Sequence, residues 1–267
     1  MLKNTHANVL VFSGLDPTGG AGIQADIETI TSLGAKPCSI ITALTVQDTN
    51  TVQSYSNVDS KFIKQQALCI LNDIPIQCIK LGMIADEEII NVIADIITDY
   101  PNIPMVIDPV LTAGGGGNLT NDTAFNCLLT KLIPKASIIT PNSMEARALV
   151  SGTINLNKCA EYLLSLGCQS VLITGGHEES NDVCNTLYME NQIISKKWPR
   201  LPAEFHGSGC TLSSSIATFV AMGLDIESAV YNAQQYTYNT LLNAKKIGHG
   251  QLIPNRFYSL DKMKKTT

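Results

Sequence analysis

The chain has 267 residues, of which 45% are hydrophobic and 15% charged, and its formal net charge is −5 at pH 7. This composition predicts a globular protein with a large core and excludes a disordered chain. The acidic balance argues against a nucleic-acid partner, because phosphate neutralisation requires a basic face.

Two further absences narrow the class of protein. No stretch reaches the ~18–20 apolar residues of a membrane helix, so no membrane partner is expected. The eight cysteines show no CxxC spacing, which argues against zinc and thioredoxin-type sites. We therefore predict a cytoplasmic protein whose cysteines are small buried residues in a reducing compartment.

The first elements are a strand, a helix and a hairpin. NVLVFSG at residues 8–14 predicts a strand, and GIQADIETITSLG at 22–34 predicts a helix with its isoleucines on one face. The β-branched segment that follows predicts a hairpin with QDTNT as its turn. This hairpin interrupts the alternation of strands and helices, and we expect it to stand off the sheet as a flap over approximately residues 37–58.

After the flap, apolar strands and amphipathic helices alternate. Strands that are apolar on both faces, each followed by a helix, predict a parallel sheet covered by helices on both sides. A β-hairpin about Glu190 and Asn191 and two long final helices complete the pattern. We expect one domain over residues 1–267, with ligands at the carboxyl ends of its strands. The predicted strands are CIKLGM, PMVIDPV, ASIITPN and SVLITGG; the predicted helices lie at 59–74, 86–100, 122–133, 143–151, 157–167, 210–224 and 225–246.

A glycine-rich segment, SGLDPTGGAGIQAD at residues 13–26, follows the first strand. Glycines let the backbone approach a ligand closely, and the helix that begins there favours an anion at its amino terminus. The segment lacks the lysine of a P-loop and the spacing of a dinucleotide fingerprint. A ligand site and a simple tight turn remain equal readings of this segment.

Polar side chains follow two later strands. Asp108, within VIDPV, stands at the end of a predicted strand, and Asn142 and Glu145 begin the helix after IITP. Oxygen ligands of this kind suit Mg²⁺, which keeps several waters and bridges phosphates. The alternative is a capping box with Asn142 as N-cap, and spacing alone favours it. The glycine run at residues 114–117 could similarly wrap a phosphate, although a surface turn is favoured there.

The segment HGSGC leads into the first of the two final helices. The backbone N–H groups of Gly207, Ser208, Gly209 and Cys210 would point at one spot and carry the positive end of the helix dipole. We call this group the anion hole. A cysteine there is expected to have a lowered thiol pKa. The alternative is a small core residue, but the position at the mouth of a helix favours a functional role for Cys210.

Taken together, the motifs resemble a known family. SGLDPTGGAGIQAD, ITALTVQDT, KLGM, DPV, TPNSMEA, TGGH, HGSGCTLSSSIA and GHG occur between residues 9 and 250 in the order found in the hydroxymethylpyrimidine/phosphomethylpyrimidine kinases of thiamine biosynthesis, members of the ribokinase-like superfamily. The resemblance implies a three-layer α/β/α fold with a mostly parallel sheet and a small β flap. It also implies ATP, Mg²⁺, a small pyrimidine substrate and a homodimer.

The resemblance implies roles for individual residues. Gln47 on the flap would hydrogen-bond the aminopyrimidine edge, since an amide offers a donor and an acceptor together. Cys210 would orient or deprotonate the hydroxymethyl group. Asn142 and Glu145 would act on Mg²⁺ and phosphates, largely through water, and Asp108 is a further candidate ligand of the metal. The same pocket would be lined by Gly14, Ala21, Asp26, Thr45 and Met83, with Gly207, Ser208 and Gly209 in the anion hole and Asn142, Glu145 and Thr174 beside the cofactor.

Three departures from the family keep alternatives open. Thr174 stands where a lysine is usual, the loop after DPV reads TAGGGGN in place of a segment with SGD, and GSGC replaces GTGC. Loss of a lysine near phosphates removes a charge that would stabilise phosphoryl transfer. A pyridoxal kinase and a non-catalytic pyrimidine-binding protein are the alternative functions. The histidines at 177, 206 and 249 are interpreted as structural.

Overall fold

The structure is a computed structural model that describes residues 7–111, 121–150 and 155–263. The glycine run at 114–117 lies outside these ranges. In the described part, the strands form one nine-stranded sheet. They are β1 Asn8–Leu15, β2 Lys36–Gln47, β3 Val52–Asn57, β4 Cys78–Leu81, β5 Met105–Ile107, β6 Ile138–Ile139, β7 Ser170–Ile173, β8 Asp182–Met189 and β9 Gln192–Pro199.

The sheet has a parallel centre and antiparallel edges. Its order is β3-β2-β1-β4-β5-β6-β7-β8-β9. Strands β2, β1, β4, β5, β6 and β7 pair in parallel, whereas β3 at one edge and β8 and β9 at the other pair antiparallel. This arrangement confirms the expected α/β class and mostly parallel sheet, and the β8–β9 hairpin turns where it was predicted.

Helices cover both faces of the sheet, as the alternating side chains of β1 show. Leu10 and Phe12 pack with residues of α2, α3 and α6, and Val9 and Val11 pack with residues of α1, α7 and α8. The core therefore has two halves, one on each side of the sheet. The helices are α1 Gly22–Ser32, α2 Ser60–Asp73, α3 Glu87–Asp99, α4 Asp122–Cys127, α5 Ser143–Leu149, α6 Leu156–Ser165, α7 Ser208–Ala221, α8 Ile226–Leu242 and α9 Tyr258–Met263.

Two features differ from the expected elements. The helix predicted at 122–133 is broken, because α4 passes into a π-helical turn at Leu128–Leu132 and a 3-10 turn at Ile133–Lys135. The flap is not separate from the sheet: β2 pairs with β1 from Lys36 to Leu44, and its last residues continue outward to pair with β3. The flap is thus an extension of the sheet edge.

The described cysteines are all free, and four of them are buried, at 38, 78, 159 and 168. Cys69 is exposed, contrary to the expectation that the cysteines are core residues. Among the described helices, none is both long and apolar enough to cross a bilayer.

Candidate active site

A cavity of about 690 Å³ opens at the carboxyl ends of the parallel strands. Its walls come from the loop between β1 and α1, the flap, the ends of β4 to β7, and the start of α7. Nearly all of the residues predicted for the site meet here, since parallel strands bring their following loops to one edge. The predicted residues that line the cavity are Gly14, Ala21, Thr45, Gln47, Met83, Asp108, Asn142, Glu145, Thr174, Gly207, Ser208, Gly209 and Cys210.

Helix α7 begins at this cavity without a capping side chain. Gly207 is its N-cap, with a φ of 77°, and within residues 7–111, 121–150 and 155–263 no side chain caps its first turn. Helix α1, whose N-cap Ala21 also lines the cavity, likewise has no capping side chain from these residues. The unbonded N–H groups and the positive end of the dipole at α7 make a site for an anion. By contrast, helices α2, α3, α4, α5, α6 and α8 are capped by Asp59, Asp86, Asn121, Asn142, Asn155 and Asp225.

Glycine is required where the glycine-rich loop before α1 meets the loop before α7, and also within the glycine-rich loop itself. A Cβ on Gly207 would collide with the carbonyl oxygen of Gly20, and its positive φ also favours glycine. A Cβ on Gly22 would likewise collide with the carbonyl oxygen of Gly14. The glycine-rich loop and the anion hole therefore pack backbone against backbone.

Arg256, which no sequence motif indicated, holds these two loops together. Its side chain is 1% exposed. The guanidinium donates to Thr211 Oγ1 of α7 at 3.0 Å, to Gly19 O at 3.1 Å and to Gly20 O at 2.5 Å, and it pairs with Glu28 at 3.1 Å. A single buried cation thus joins α7, the glycine-rich loop and α1.

The environment of Cys210 contradicts the expected lowering of its pKa. Cys210 is half-buried at the cavity wall, and desolvation of its thiol by the surrounding atoms is the main cause that raises its pKa to about 12. The negative charges of Asp108 and Asp26 add to this shift, whereas Lys80 opposes it. Desolvation of the thiolate is thus the largest effect on this thiol. Cys210 is therefore a protonated thiol at neutral pH.

Asp26 does not line the cavity, contrary to the prediction. It is fully buried, and its Oδ1 accepts from Lys80 Nζ at 2.8 Å and from Ser214 Oγ at 2.5 Å. Lys80 is also fully buried and lies within electrostatic range of Cys210 and Asp108. A cation therefore lies beneath the anion hole, although the sequence indicated none. A lone lysine in the apolar strand CIKLGM was the signal that could have identified it.

Asn142 and Glu145 form a helix capping box and also lie where they could act on a metal or phosphate, the two roles that their spacing predicts. Asn142 Oδ1 accepts from Glu145 N and Glu145 Oε2 accepts from Asn142 N, each at 2.9 Å, which is a complete capping box. Both side chains also line the cavity. Burial and the charge of Asp108 raise the pKa of Glu145 to about 8, and burial raises the pKa of Asp108.

These two carboxylates fit a divalent cation that is shared with a ligand. A cation between them would relieve the burial and repulsion that raise both pKa values. In the residues that the structure describes, no cluster of three or more histidine, cysteine or carboxylate side chains could hold a metal. Two protein carboxylates, with phosphate and water completing the shell, are typical of Mg²⁺.

The flap reaches the cavity through Gln47, which meets two residues outside the predicted site. His206 Nε2 lies 2.8 Å from Asp16 Oδ2 and 3.3 Å from Gln47 Nε2. Burial opposes ionisation of Asp16, but hydrogen bonds from His206 and Thr18 outweigh it and lower its pKa to about 2. His206 is thus part of the cavity wall, not only a structural residue of a loop.

The far end of the cavity has an aromatic and polar wall that the sequence did not define. Trp198 Nε1 and Asn185 Nδ2 donate to Gln234 Oε1 at 2.9 and 3.0 Å, and the ring centroids of Trp198 and Tyr238 are 5.2 Å apart. Thr174 also lines the cavity, and its carbonyl accepts from Ser143 N at 2.9 Å.

Comparison with known proteins places this geometry in a family. The family model described as phosphomethylpyrimidine kinase matches residues 16–255. The chain is 35% identical over 254 residues to the hydroxymethylpyrimidine/phosphomethylpyrimidine kinase of Escherichia coli, covering 91% of this chain and 94% of that one. It is 37% identical to the thiamine biosynthesis bifunctional protein ThiED of Geobacter sulfurreducens, covering 91% of this chain but only 51% of that protein.

Solved structures with the same architecture come from two kinds of kinase. Phosphomethylpyrimidine kinase from Clostridium difficile matches with a TM-score of 0.77 and 34% identity, covering 88% of this chain and 99% of that one. Pyridoxal kinase from Staphylococcus aureus in complex with AMP-PCP and pyridoxal matches with a TM-score of 0.86 and 25% identity, covering 94% of each chain.

Proposed function

The chain belongs to the phosphomethylpyrimidine kinase family, and we infer that it phosphorylates 4-amino-5-hydroxymethyl-2-methylpyrimidine and then its monophosphate in thiamine biosynthesis. The observation that carries this function is the uncapped amino terminus of α7, which faces a cavity with two carboxylates. The second activity of the bifunctional relative is not part of the proposal, since the chain spans about half of that protein.

We propose ATP as the phosphoryl donor, with its base against the wall formed by Trp198 and Tyr238 and its phosphates toward α7. Asp108 and Glu145 would hold Mg²⁺, largely through water. When bound, Mg²⁺ neutralises charge on the phosphate oxygens. The Gly207–Cys210 N–H groups bind the oxygens of the transferred group, which carry the charge of a loose transition state.

The raised pKa of Cys210 limits its role in the first phosphorylation. A thiol with a pKa of about 12 is not a thiolate at neutral pH, so we propose that Cys210 orients the hydroxymethyl oxygen by hydrogen bonding and does not act as a base. In the second phosphorylation the acceptor is already an anionic phosphate and needs no base. The buried ammonium group of Lys80 interacts electrostatically with Cys210 and Asp108, and its positive charge favours negative charge at the anion hole.

The proposed activity is tested by coupled ADP release with the hydroxymethylpyrimidine as acceptor. We expect ADP formation that depends on the pyrimidine and on Mg²⁺, and conversion of the monophosphate to the diphosphate. Binding of the pyrimidine without ADP formation at any enzyme concentration would contradict the kinase and favour a binding protein.

Pyridoxal kinase is the second candidate, because solved pyridoxal kinases superpose with TM-scores of 0.85 and 0.86. Their identities of 25–26% are lower than the 32–37% of the curated relatives. Assays with both rings side by side distinguish the two activities, and we expect the larger kcat/KM for the pyrimidine.

Assembly and location complete the proposal. We propose a homodimer that forms through the flap, where Leu44 and Val46 are 49% and 56% exposed on alternate positions of β2. Exposed aliphatic side chains on an extended sheet edge offer a surface that a second copy can cover. A single domain over residues 1–267 and a cytoplasmic location stay predictions.

A further inference from the structure

We propose that residues 248–256, which we call the strap, hold the flap in the position that binds the acceptor, and that Thr49 is the flap residue through which they do so. The inference rests on the proposed function, because it concerns how the acceptor is held. It assigns Thr49 a positioning role, since Thr49 contacts the strap and is not one of the described residues that line the cavity. It also gives a role to the motif GHG at residues 248–250, which the proposed mechanism does not use.

The tip of the flap is a compact turn that keeps its own shape. Asp48 Oδ1 accepts from Asn50 N at 2.7 Å and from Thr51 N at 2.9 Å, and Asp48 N donates to Thr51 O at 3.1 Å. These hydrogen bonds hold residues 48–51 together as one unit. Gln47, which lines the cavity, immediately precedes this unit, so a displacement of the turn also displaces Gln47.

The strap meets this turn at Thr49. Thr49 is 8% exposed, although Asp48 and Asn50 on either side of it are exposed. Gly250 N donates to Thr49 Oγ1 and Gln251 N donates to Thr49 O, both at 3.0 Å. Thr49 thus supplies one side-chain acceptor and one backbone acceptor to two consecutive N–H groups of the strap.

Glycine at positions 248 and 250 allows this close approach. A Cβ on Gly248 would lie 2.5 Å from Thr49 Oγ1, and a Cβ on Gly250 would collide with the carbonyl oxygen of Thr49. A side chain at either position would therefore force the flap and the strap apart. His249 between them is exposed, so the glycines and not the histidine make the contact with the flap.

The other end of the strap is anchored to the walls that carry the anion hole. Leu252 O accepts from His206 N at 2.9 Å, and Leu252 N donates to Glu204 O at 3.0 Å, in the loop that leads into α7. Arg256, the last residue of the strap, donates to Thr211 of α7 and to the glycine-rich loop. The strap therefore joins the flap tip to both loops at the anion hole within nine residues.

The contact between flap and strap is polar and lies at the surface. A second cavity, of about 260 Å³, adjoins it and is lined by Asn50, Glu204, Gly250, Gln251 and Leu252. Hydrogen bonds in such a place contribute little net free energy each, because water replaces them when they break. The flap can therefore leave the strap to admit an acceptor and return over it. The strap determines how much of the time the flap spends in the binding position.

This role predicts a particular kinetic pattern. When the flap occupies the binding position for a smaller fraction of the time, the apparent affinity for the acceptor falls by that fraction. At saturating acceptor the bound ring itself holds the flap, so kcat changes less. The wall proposed for ATP, at Trp198 of β9, lies at the opposite edge of the sheet from the flap, so KM for ATP should not change.

The experiment measures kcat and both KM values in steady-state assays with the hydroxymethylpyrimidine as acceptor. Thr49→Val removes the Oγ1 acceptor of Gly250 N, and we expect KM for the acceptor to rise about 5-fold, with kcat and KM for ATP within about 2-fold. Thr49→Ser keeps the hydroxyl and should retain the KM of the unmodified chain. Gly250→Ala should raise KM for the acceptor by about 10-fold or more, since its Cβ displaces the flap tip.

Thr51→Val is the matched control. Thr51 belongs to the same turn but is exposed, and its Oγ1 faces Val52 O at 3.4 Å within the flap. This variant should keep the KM of the unmodified chain for the acceptor. An equal rise in Thr51→Val and Thr49→Val would assign the effect to the turn itself and overturn the proposal. An unchanged KM for the acceptor in Thr49→Val would overturn it as well.

Hydrogen exchange separates this inference from the proposed function, because it needs no turnover. In Thr49→Val and in Gly250→Ala, the peptide that spans residues 45–52 should exchange at least about 3-fold faster than in the unmodified chain. Unchanged exchange overturns the inference even if the pyrimidine is phosphorylated. If exchange becomes faster but the unmodified chain forms no ADP with the pyrimidine, the proposed function fails while the hold of the strap on the flap stands. Should one variant not fold, the other decides.

Discussion

Cys210 lies in the first turn of α7, where the helix dipole favours a thiolate, yet its thiol stays protonated. Burial and the neighbouring carboxylates outweigh the opposing charge of Lys80. The same balance raises the pKa of Glu145. The ionisable groups around the anion hole are therefore desolvated and affect one another's pKa values. A ligand that brings a cation would lower the pKa values of all of them together.

The protonated state of Cys210 predicts slow alkylation. In the folded protein at pH 8, iodoacetamide should modify exposed Cys69 and leave Cys210 nearly unmodified, since a pKa of about 12 leaves a thiolate fraction of about 10⁻⁴. Mass spectrometry of peptides after timed quenching measures both rates. Modification of Cys210 as fast as that of Cys69 would contradict the protonated thiol and would indicate that Cys210 is a thiolate.

The same pKa shift predicts how stability depends on pH. The folded chain holds this proton more tightly than the unfolded chain, in which the thiol has its ordinary value of 9.0. This contribution to the free energy of unfolding is complete below pH 9 and is lost as the pH rises toward 12. In Cys210→Ser the loss above pH 9 should be smaller.

Two substitutions separate the capping role of Glu145 from its proposed role at the cofactor. Glu145→Gln keeps an oxygen for Asn142 N and so retains the capping box, whereas Glu145→Ala removes it. We expect the alanine variant alone to lose about 1 kcal/mol of stability in urea unfolding. Both variants should lose kcat/KM by about 10-fold or more if the carboxylate acts on the cofactor. Full activity in Glu145→Gln would leave only the capping role.

Among the helices, α1 and α7 share a distinctive arrangement at their amino termini. Neither has a capping side chain, and their preceding loops are joined by the glycine contacts and by Arg256. A capping side chain at α7 would occupy the position that an anion needs. The two loops are instead stabilised from below, which leaves the N–H groups of α7 available to a ligand.

Arg256→Lys tests this support. A single ammonium cannot replace the planar fork that reaches Thr211, Gly19 and Gly20 at once. We expect a loss of about 2 kcal/mol or more in stability, because buried carbonyls lose their donors, and a lower kcat/KM. Unfolding curves and steady-state assays measure the two effects.

Glu28→Gln is the control for this substitution. It removes the negative charge that faces Arg256 but keeps a side-chain oxygen as an acceptor for the guanidinium, so we expect a smaller loss of stability than in Arg256→Lys. Equal losses in the two variants would mean that the ion pair, and not the contacts to the loops, is the support.

The whole sheet determines where the cavity and the free edge lie. Its parallel centre brings the loops after β1, β4, β5, β6 and β7 to one side, and the flap extends one edge over that side. The flap carries Gln47 toward the cavity and Leu44 and Val46 toward solvent. Assembly through the flap would therefore hold in place Gln47, the residue proposed to bind the substrate.

Charged substitutions on the flap test assembly. Leu44→Lys with Val46→Lys should convert the proposed dimer to a monomer, measured by size-exclusion chromatography with light scattering. Ile193→Lys, at an equally exposed position on the opposite edge strand β9, is the matched control and should leave the mass unchanged. A monomeric unmodified chain at micromolar concentration would contradict assembly.

The sequence by itself determined the order of strands and helices, the β8–β9 hairpin and the set of loops that meet at the cavity. Apolar periodicity and glycine or asparagine signals are local, so they can be read without knowing what packs against them. The predicted residues gather at one edge because the direction of parallel strands fixes where their loops go. The break after α4 was missed because it lacks a local signal before residue 134.

Only the tertiary structure decided the roles of Asp26, Lys80, His206 and Arg256 and the protonation of Cys210. Each depends on partners far away in sequence, such as the contact of Arg256 with Gly19 or of Lys80 with Asp26. Burial sets the electrostatic energy of these groups, and burial exists only once the layers have packed. Local patterns can therefore predict which loops form the site, but the charges and protons within it follow from packing.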